Sequence, residues 1–249
     1  VVGLVIALRA VPFCWPRASL VRDALSQGRS ALFFRIAETS YTSCNALLLG
    51  LFCPPGVVGL YAGADKIARN MLNALLDPVQ RAVYPGVAKA LSQSRQQAAS
   101  MVRMSALVTI SVSAALSAVL FVTAPQVSLL LLGPGYESAV PALRILLLVP
   151  VAIACKWSIG LNWMVPLGES KSFNAVIAGS AVLHLTLTAL LVPLWGHTGM
   201  AAAVAITECA IPACIYLLLR RLKLNPFEIV ACEQTEEIPS DPETEMSCH

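Results

Sequence analysis

The 249-residue chain is 57% hydrophobic and 12% charged, with a mean hydropathy of +0.73, whereas soluble domains run at roughly 45–50% apolar and about 25% charged. That composition excludes an ordinary soluble enzyme or binding module, and at about 20 residues per crossing it leaves room for six or seven membrane spans. The net charge of +3 hides an asymmetry: residues 1–224 hold 17 Lys/Arg against 7 Asp/Glu, while residues 225–249 hold 7 acids and no Lys or Arg.

In chain order, Val1–Ala10 is apolar from its first residue and reads as the end of a helix cut mid-span. It lacks the basic start of a signal peptide. Residues 1–30 are therefore expected to be that helix end plus a cytoplasmic loop. Six spans come next over residues 31–222, at about 31–51, 57–82, 104–124, 141–165, 173–193 and 199–221, an all-α transmembrane bundle. No Asp, Glu, Lys or Arg occurs between Arg103 and Glu137 or between Lys171 and Glu208. Turn chemistry separates the spans at Pro54-Pro55-Gly56, at Gly133-Pro134-Gly135 and over Pro193–Gly199.

Pro78 and Pro85 should kink or end the second span, because proline removes a backbone donor and crowds the preceding turn. The connection from Gln126 to Arg144 is longer than a turn and predicts a short helix in the outer interface. Residues 223–249, with Glu233, Glu236, Glu237, Asp241, Glu243 and Glu245 among Pro239 and Pro242, cannot bury a core and read as a disordered acidic tail.

Orientation is set by the basic residues in short connections. Arg9, Arg17, Arg22 and Arg29, then Lys89, Arg95 and Arg103, then Lys171, then Arg220, Arg221 and Lys223 all fall on one side of a six-span alternation. The C-terminus is then cytoplasmic.

Polar residues concentrate in the first two spans: Arg35, Glu38, Tyr41, Thr42 and Asn45, then Asp65, Lys66, Arg69, Asn70, Asn73, Asp77 and Arg81. Each charge near mid-bilayer costs roughly 2.5–3.5 kcal/mol against lipid, so these residues face protein or a water-filled cavity. Arg35 and Glu38 are three apart and Asp65 and Arg69 four apart, spacings that place each pair on one helix face. Two readings stand side by side. In one, Arg35–Glu38 and Asp65–Arg69 are structural ion pairs, with Lys66 and Asp77 near an interface and snorkelling. In the other, Arg35, Lys66 and Arg69 form a cationic wall for an anionic head group, with Glu38 or Asp65 as a carboxylate that takes a proton or a sodium ion; Glu208, followed by Pro212, is either a further ion-coupling carboxylate or a group hydrogen-bonded to neighbouring helices. Arginine suits a diphosphate because its fixed fork of donors matches phosphate oxygens.

Lys156 falls mid-span, and Arg144 near the outer interface. His184 and His197 are isolated and read as packed or interfacial residues. The eight cysteines form no Cys-x-x-Cys pair and read as small apolar fillers. No metal and no cofactor is expected. The sequence carries no Gly-rich phosphate loop, no His-Glu-x-x-His and no Gly-x-Ser-x-Gly, so any transport by this chain is expected to be ion-coupled or passive, and no enzyme is expected.

Several stretches carry a resemblance. Gly59-Leu60-Tyr61-Ala62-Gly63-Ala64-Asp65-Lys66-Ile67, Val83-Tyr84-Pro85, the run Leu132–Arg144 with its Gly133-Pro134-Gly135-Tyr136-Glu137, and Trp195-Gly196-His197-Thr198-Gly199-Met200-Ala201-Ala202-Ala203 resemble, in order and spacing, the C-terminal half of polysaccharide flippases of the multidrug/oligosaccharidyl-lipid/polysaccharide exporter superfamily. The similarity runs from about Gly28 to Leu222. It implies one lobe of a two-lobe exporter that rocks about a central cationic cavity. It also implies an undecaprenyl-diphosphate-linked oligosaccharide as substrate, the bacterial cytoplasmic membrane as location and polysaccharide polymerase machinery as partner, with no nucleic acid. A multidrug or metabolite antiporter and a peptidoglycan-precursor flippase share the fold and are the alternatives. A glycan polymerase would be expected to carry a large external loop.

Overall fold

The computed structural model describes residues 44–227, and within them every regular element is helical. Arg35, Glu38, most of the first predicted span and the acidic tail lie outside the described residues. The elements are α1 (Asn45–Gly50), α2 (Pro55–Leu91), α3 (Arg95–Val122), α4 (Ala124–Leu132), a 3-10 turn (Glu137–Ala139), α5 (Val140–Leu146), α6 (Val149–Lys156), a π-helical stretch (Trp157–Met164) and α7 (Ser170–Arg221).

Three elements are long and apolar enough to cross a bilayer: Arg95–Val122, Glu137–Met164 and Ser170–Arg221. At about 1.5 Å per residue, the 52 residues of α7 exceed twice the ~30 Å hydrocarbon thickness. They fold back at Gly196, whose φ of 56° and ψ of −126° break the helix. The two limbs, 170–195 and 197–221, answer to the last two predicted spans. The limbs meet so closely beyond the fold that a Cβ on Gly199 would lie 2.2 Å from the Leu191 carbonyl oxygen.

Of the two outcomes expected at Pro78 and Pro85, an end is not what the structure shows: α2 runs through both prolines to Leu91. Proline fixes φ near the helical value, so the helix survives where the freed carbonyls find other partners. Those carbonyls belong to Ala74 and Arg81, which are exposed, as are both prolines. The short helix expected between Gln126 and Arg144 is present as α4, capped by Gly133 at φ 88°.

Two apolar cores sit at opposite ends of the bundle. One joins Leu49, Tyr61, Leu143, Val192 and Met200, beneath the connections at Cys53–Pro54, 133–136 and Gly196. His197 Nε2 bonds the Ser138 carbonyl there at 2.9 Å. The other joins Val87, Trp163, Phe173, Ile177 and Ile215. Here Trp163 Nε1 donates to the Leu224 carbonyl at 2.7 Å. Lys89, Arg95, Lys171, Arg220, Arg221 and Lys223 gather at this second end, as the alternation of basic connections requires. Between the cores lies a layer of polar side chains.

Candidate functional site: a buried polar layer and a charged helix face

The layer is built where α1, α2, α6 and the two limbs of α7 meet. Lys156, the last residue of α6, places its Nζ 2.9 Å from Glu208 Oε2 on the second limb. Both side chains are buried, at 5% and 3% exposure. On α2, Arg69 Nε lies 2.6 Å from Asp65 Oδ2, one turn away, and the pair is partly exposed. The Tyr61 hydroxyl, one turn before, is 3.5 Å from Asp65 Oδ1. His184 on the first limb of α7 is fully buried. Its Nε2 is 2.9 Å from Asn45 Oδ1 on α1, and its Nδ1 is 3.4 Å from Thr207 Oγ1 on the second limb.

A step towards the basic end, Gln80 and Asn162 exchange side-chain hydrogen bonds, 2.7 Å from Gln80 Nε2 to Asn162 Oδ1 and 3.1 Å in return. They tie α2 to the π-helical stretch beside a water-sized cavity of about 10 Å³ lined by Ser105, Thr109 and Ser158. Each of these hydroxyls donates to a carbonyl of its own helix.

Of the residues singled out in the sequence, Asp65 and Arg69 form the expected i, i+4 pair. Glu208 is buried and paired with Lys156. Lys66 points the other way, on the exposed side of α2. There it joins Ala62, Asn70, Ala74, Pro78, Arg81, Pro85, Ala88 and Lys89, all exposed and all small, polar or charged. The contrast with α3 is sharp, since its outward residues include Met104, Leu107, Val108, Val112, Val119 and Val122. Among the described side chains of α2, the exposed large apolar ones are Val79 and Tyr84. Arg144 stacks over the Phe121 ring at 5.3 Å.

The pairings Asn45–His184 and Gln80–Asn162 have no signal in the sequence. Their members lie 139 and 82 residues apart, and only the fold brings them together. Among the described residues, no group of three or more His, Cys, Asp or Glu side chains could hold a metal ion.

A multi-pass helical membrane bundle with a charged outer face and a buried polar layer defines the class, a polytopic membrane protein. Residues 1–141 match the family model described as "Polysaccharide biosynthesis protein", and the chain belongs to that family. A curated relative named "Putative O-antigen transporter", from Escherichia coli (strain K12), is 28% identical over 204 residues, covering 82% of this chain and 49% of the relative. The chain thus spans about half the length of the curated relative it matches. No solved structure matches this chain.

Proposed function

We propose that the protein is a flippase that carries an undecaprenyl-diphosphate-linked oligosaccharide across the bacterial cytoplasmic membrane by ion-coupled alternating access, with these helices as its C-terminal lobe. The observation that carries this reading is the exposed face of α2. Lys66, Asn70 and Arg81 cannot face lipid at an acceptable cost, and the carbonyls freed by Pro78 and Pro85 need partners that lipid does not supply. A water-filled cavity against a second lobe provides both. In it, Lys66 and Arg69, together with Arg35 of the first span, meet the diphosphate. The sugar crosses shielded while the prenyl tail stays in lipid.

Asp65 and Glu208, with Glu38, are the candidate coupling carboxylates. Asp65 and Glu208 each have a basic side chain as counter-ion, so coupling proceeds by exchange of that partner for an ion. The basic end of the bundle faces the cytoplasm, which leaves the chain's C-terminus there. Transport, not catalysis, is the activity.

The test is outer-face accumulation of prenyl-diphosphate-linked oligosaccharide in cells expressing the full-length protein, comparing wild type with Lys66→Glu, Arg69→Ala and the lipid-facing control Leu107→Ala. Loss in the first two at normal membrane levels, with the control intact, supports the reading. Undiminished export in both charge variants overturns the cationic wall.

A further inference from the structure

Arg144 is the basic residue that the charge pattern of the bundle does not account for. The connections at the end opposite the basic cluster, residues 51–54, 123–139 and 193–199, hold no Lys or Arg, yet Arg144 stands close to them. Its guanidinium carbon lies 5.3 Å from the centre of the Phe121 ring, and Phe121 is the last residue but one of α3. Arg103, on the same helix, comes 18 residues earlier, which at about 1.5 Å per residue is ~27 Å. A bilayer presents about 30 Å of hydrocarbon. With Arg103 at one boundary of that layer, Arg144 sits at the other.

The surroundings of Arg144 are those of a lipid-facing edge. Phe121, Val122 and Leu148 are all exposed, as is Pro141, three residues before Arg144 on α5. The nine-residue α4, which packs against both α3 and α5, turns Leu129, Leu130 and Leu131 outward. Between α4 and the 3-10 turn is an open recess of about 260 Å³, lined by Pro125, Ser128, Leu129, Gly133, Glu137 and Val140. Val140 is one helical turn from Arg144.

No described carboxylate neutralises this cation. Among the described residues Arg144 takes part in no ion pair, and Glu137, seven residues earlier, does not reach it. The Arg144 Nε is covered and has no hydrogen-bond acceptor. The side chain as a whole is partly exposed, so its terminal nitrogens are the part that opens outward. A basic side chain at the edge of the hydrocarbon lays its stem on apolar surface and turns its head to the polar layer. The strong anion of that layer is the lipid phosphate, whose oxygens match the arginine donor fork.

We propose that Arg144 and Phe121 form a binding site for the phosphate of a membrane glycerophospholipid, in the leaflet opposite the basic cluster, with the acyl chains lying over Val122, Leu148 and the outward leucines of α4. The Phe121 ring covers one face of the guanidinium and holds its plane, which leaves the terminal N–H groups to the phosphate. The lipid then bridges the end of α3 and the start of the next span. This site does not depend on what the protein carries.

The experiment is carbon–phosphorus dipolar spectroscopy of the full-length protein, labelled with carbon-13 at the arginine Cζ and reconstituted in two kinds of vesicle. One is phosphatidylethanolamine with phosphatidylglycerol in phosphate-free buffer. The other is diglucosyl diacylglycerol, a phosphorus-free lipid, with inorganic phosphate in the buffer. Arg144→Lys or Arg144→Gln assigns the Arg144 signal, and the comparison between vesicles is made on wild type. The expected result is an Arg144 signal dephased by phosphorus in the phospholipid vesicles and undephased in the glycolipid vesicles. Phe121→Ala is expected to weaken the dephasing. An Arg144 signal untouched by phosphorus in phospholipid overturns the proposal, and so does dephasing that Phe121→Ala leaves unchanged. Equal dephasing in the glycolipid vesicles also overturns it, since the site would then take free phosphate.

Discussion

The Lys156 ammonium and the Glu208 carboxylate meet at 2.9 Å in a part of the bundle where neither side chain is more than 5% exposed. Two such charges attract strongly only because each has lost its water, and removing one strands the other. Glu208→Gln or Lys156→Met alone is expected to cost about 3–5 kcal/mol, read as a lower thermal midpoint in detergent. The double variant Lys156→Met/Glu208→Met is expected to recover most of that loss. Single variants as stable as wild type would show that the pair is hydrated.

The charged face of α2 predicts a pattern of chemical access. In a cysteine-free background, Asn70→Cys and Ala74→Cys should react with a membrane-impermeant maleimide in whole or opened vesicles, whereas Leu107→Cys and Val112→Cys on α3 should stay unlabelled. Equal protection of all four would place α2 against protein or lipid instead of water.

Two glycines of α7 should respond in opposite directions. At Gly199 an added methyl would meet the Leu191 carbonyl oxygen at 2.2 Å, so Gly199→Ala is expected to destabilise the protein by at least about 1–3 kcal/mol. At the exposed Gly179 nothing lies within 4 Å, and Gly179→Ala should be neutral or stabilising by up to ~1 kcal/mol, as for any open helical site. Thermal midpoints in one detergent compare them directly.

The amide pair Gln80–Asn162 predicts a second stability cycle. Asn162→Leu takes from the Gln80 amide its partner across the bundle in a largely apolar surrounding, at a cost of about 1–3 kcal/mol. Gln80→Leu/Asn162→Leu should lose less than the two single changes together. Additive losses would indicate that the two amides act independently.

Much of the fold is legible in the sequence because lipid imposes a coarse rule: long uncharged runs cross, and Gly/Pro clusters turn. The folded tip at Gly196, the short helix after Thr123 and the clustering of Lys89, Lys171 and Arg220 at one end all obey it. Asp65–Arg69 is legible as well, since the i, i+4 spacing alone brings the partners together. The continuation of α2 past Pro78 and Pro85 is not, because whether a proline stops a helix depends on what receives the carbonyl it frees. Nor are Lys156–Glu208 and Asn45–His184, whose partners belong to helices whose rotations about their axes no local pattern specifies. Arg35 and Glu38 lie outside the described residues, so their pairing stays an expectation from spacing.

The π-helical stretch Trp157–Met164 comes directly after Lys156 and contains Asn162, so it separates a residue aimed at α7 from one aimed at α2. A π-helical stretch amounts to an α-helix with a residue inserted. Chain length is therefore negotiable here in a way it is not in neighbouring turns. Removing one residue inside the stretch would close the wide turn into an ordinary one and leave the flanking faces in step. The same deletion made among residues 149–155 would rotate the N-terminal part of the span by about 100° relative to its C-terminal part and dismantle the contacts of one side or the other. Natural variation in the length of this span should accordingly collect at 157–164, a joint where the reading frame of the helix has slack.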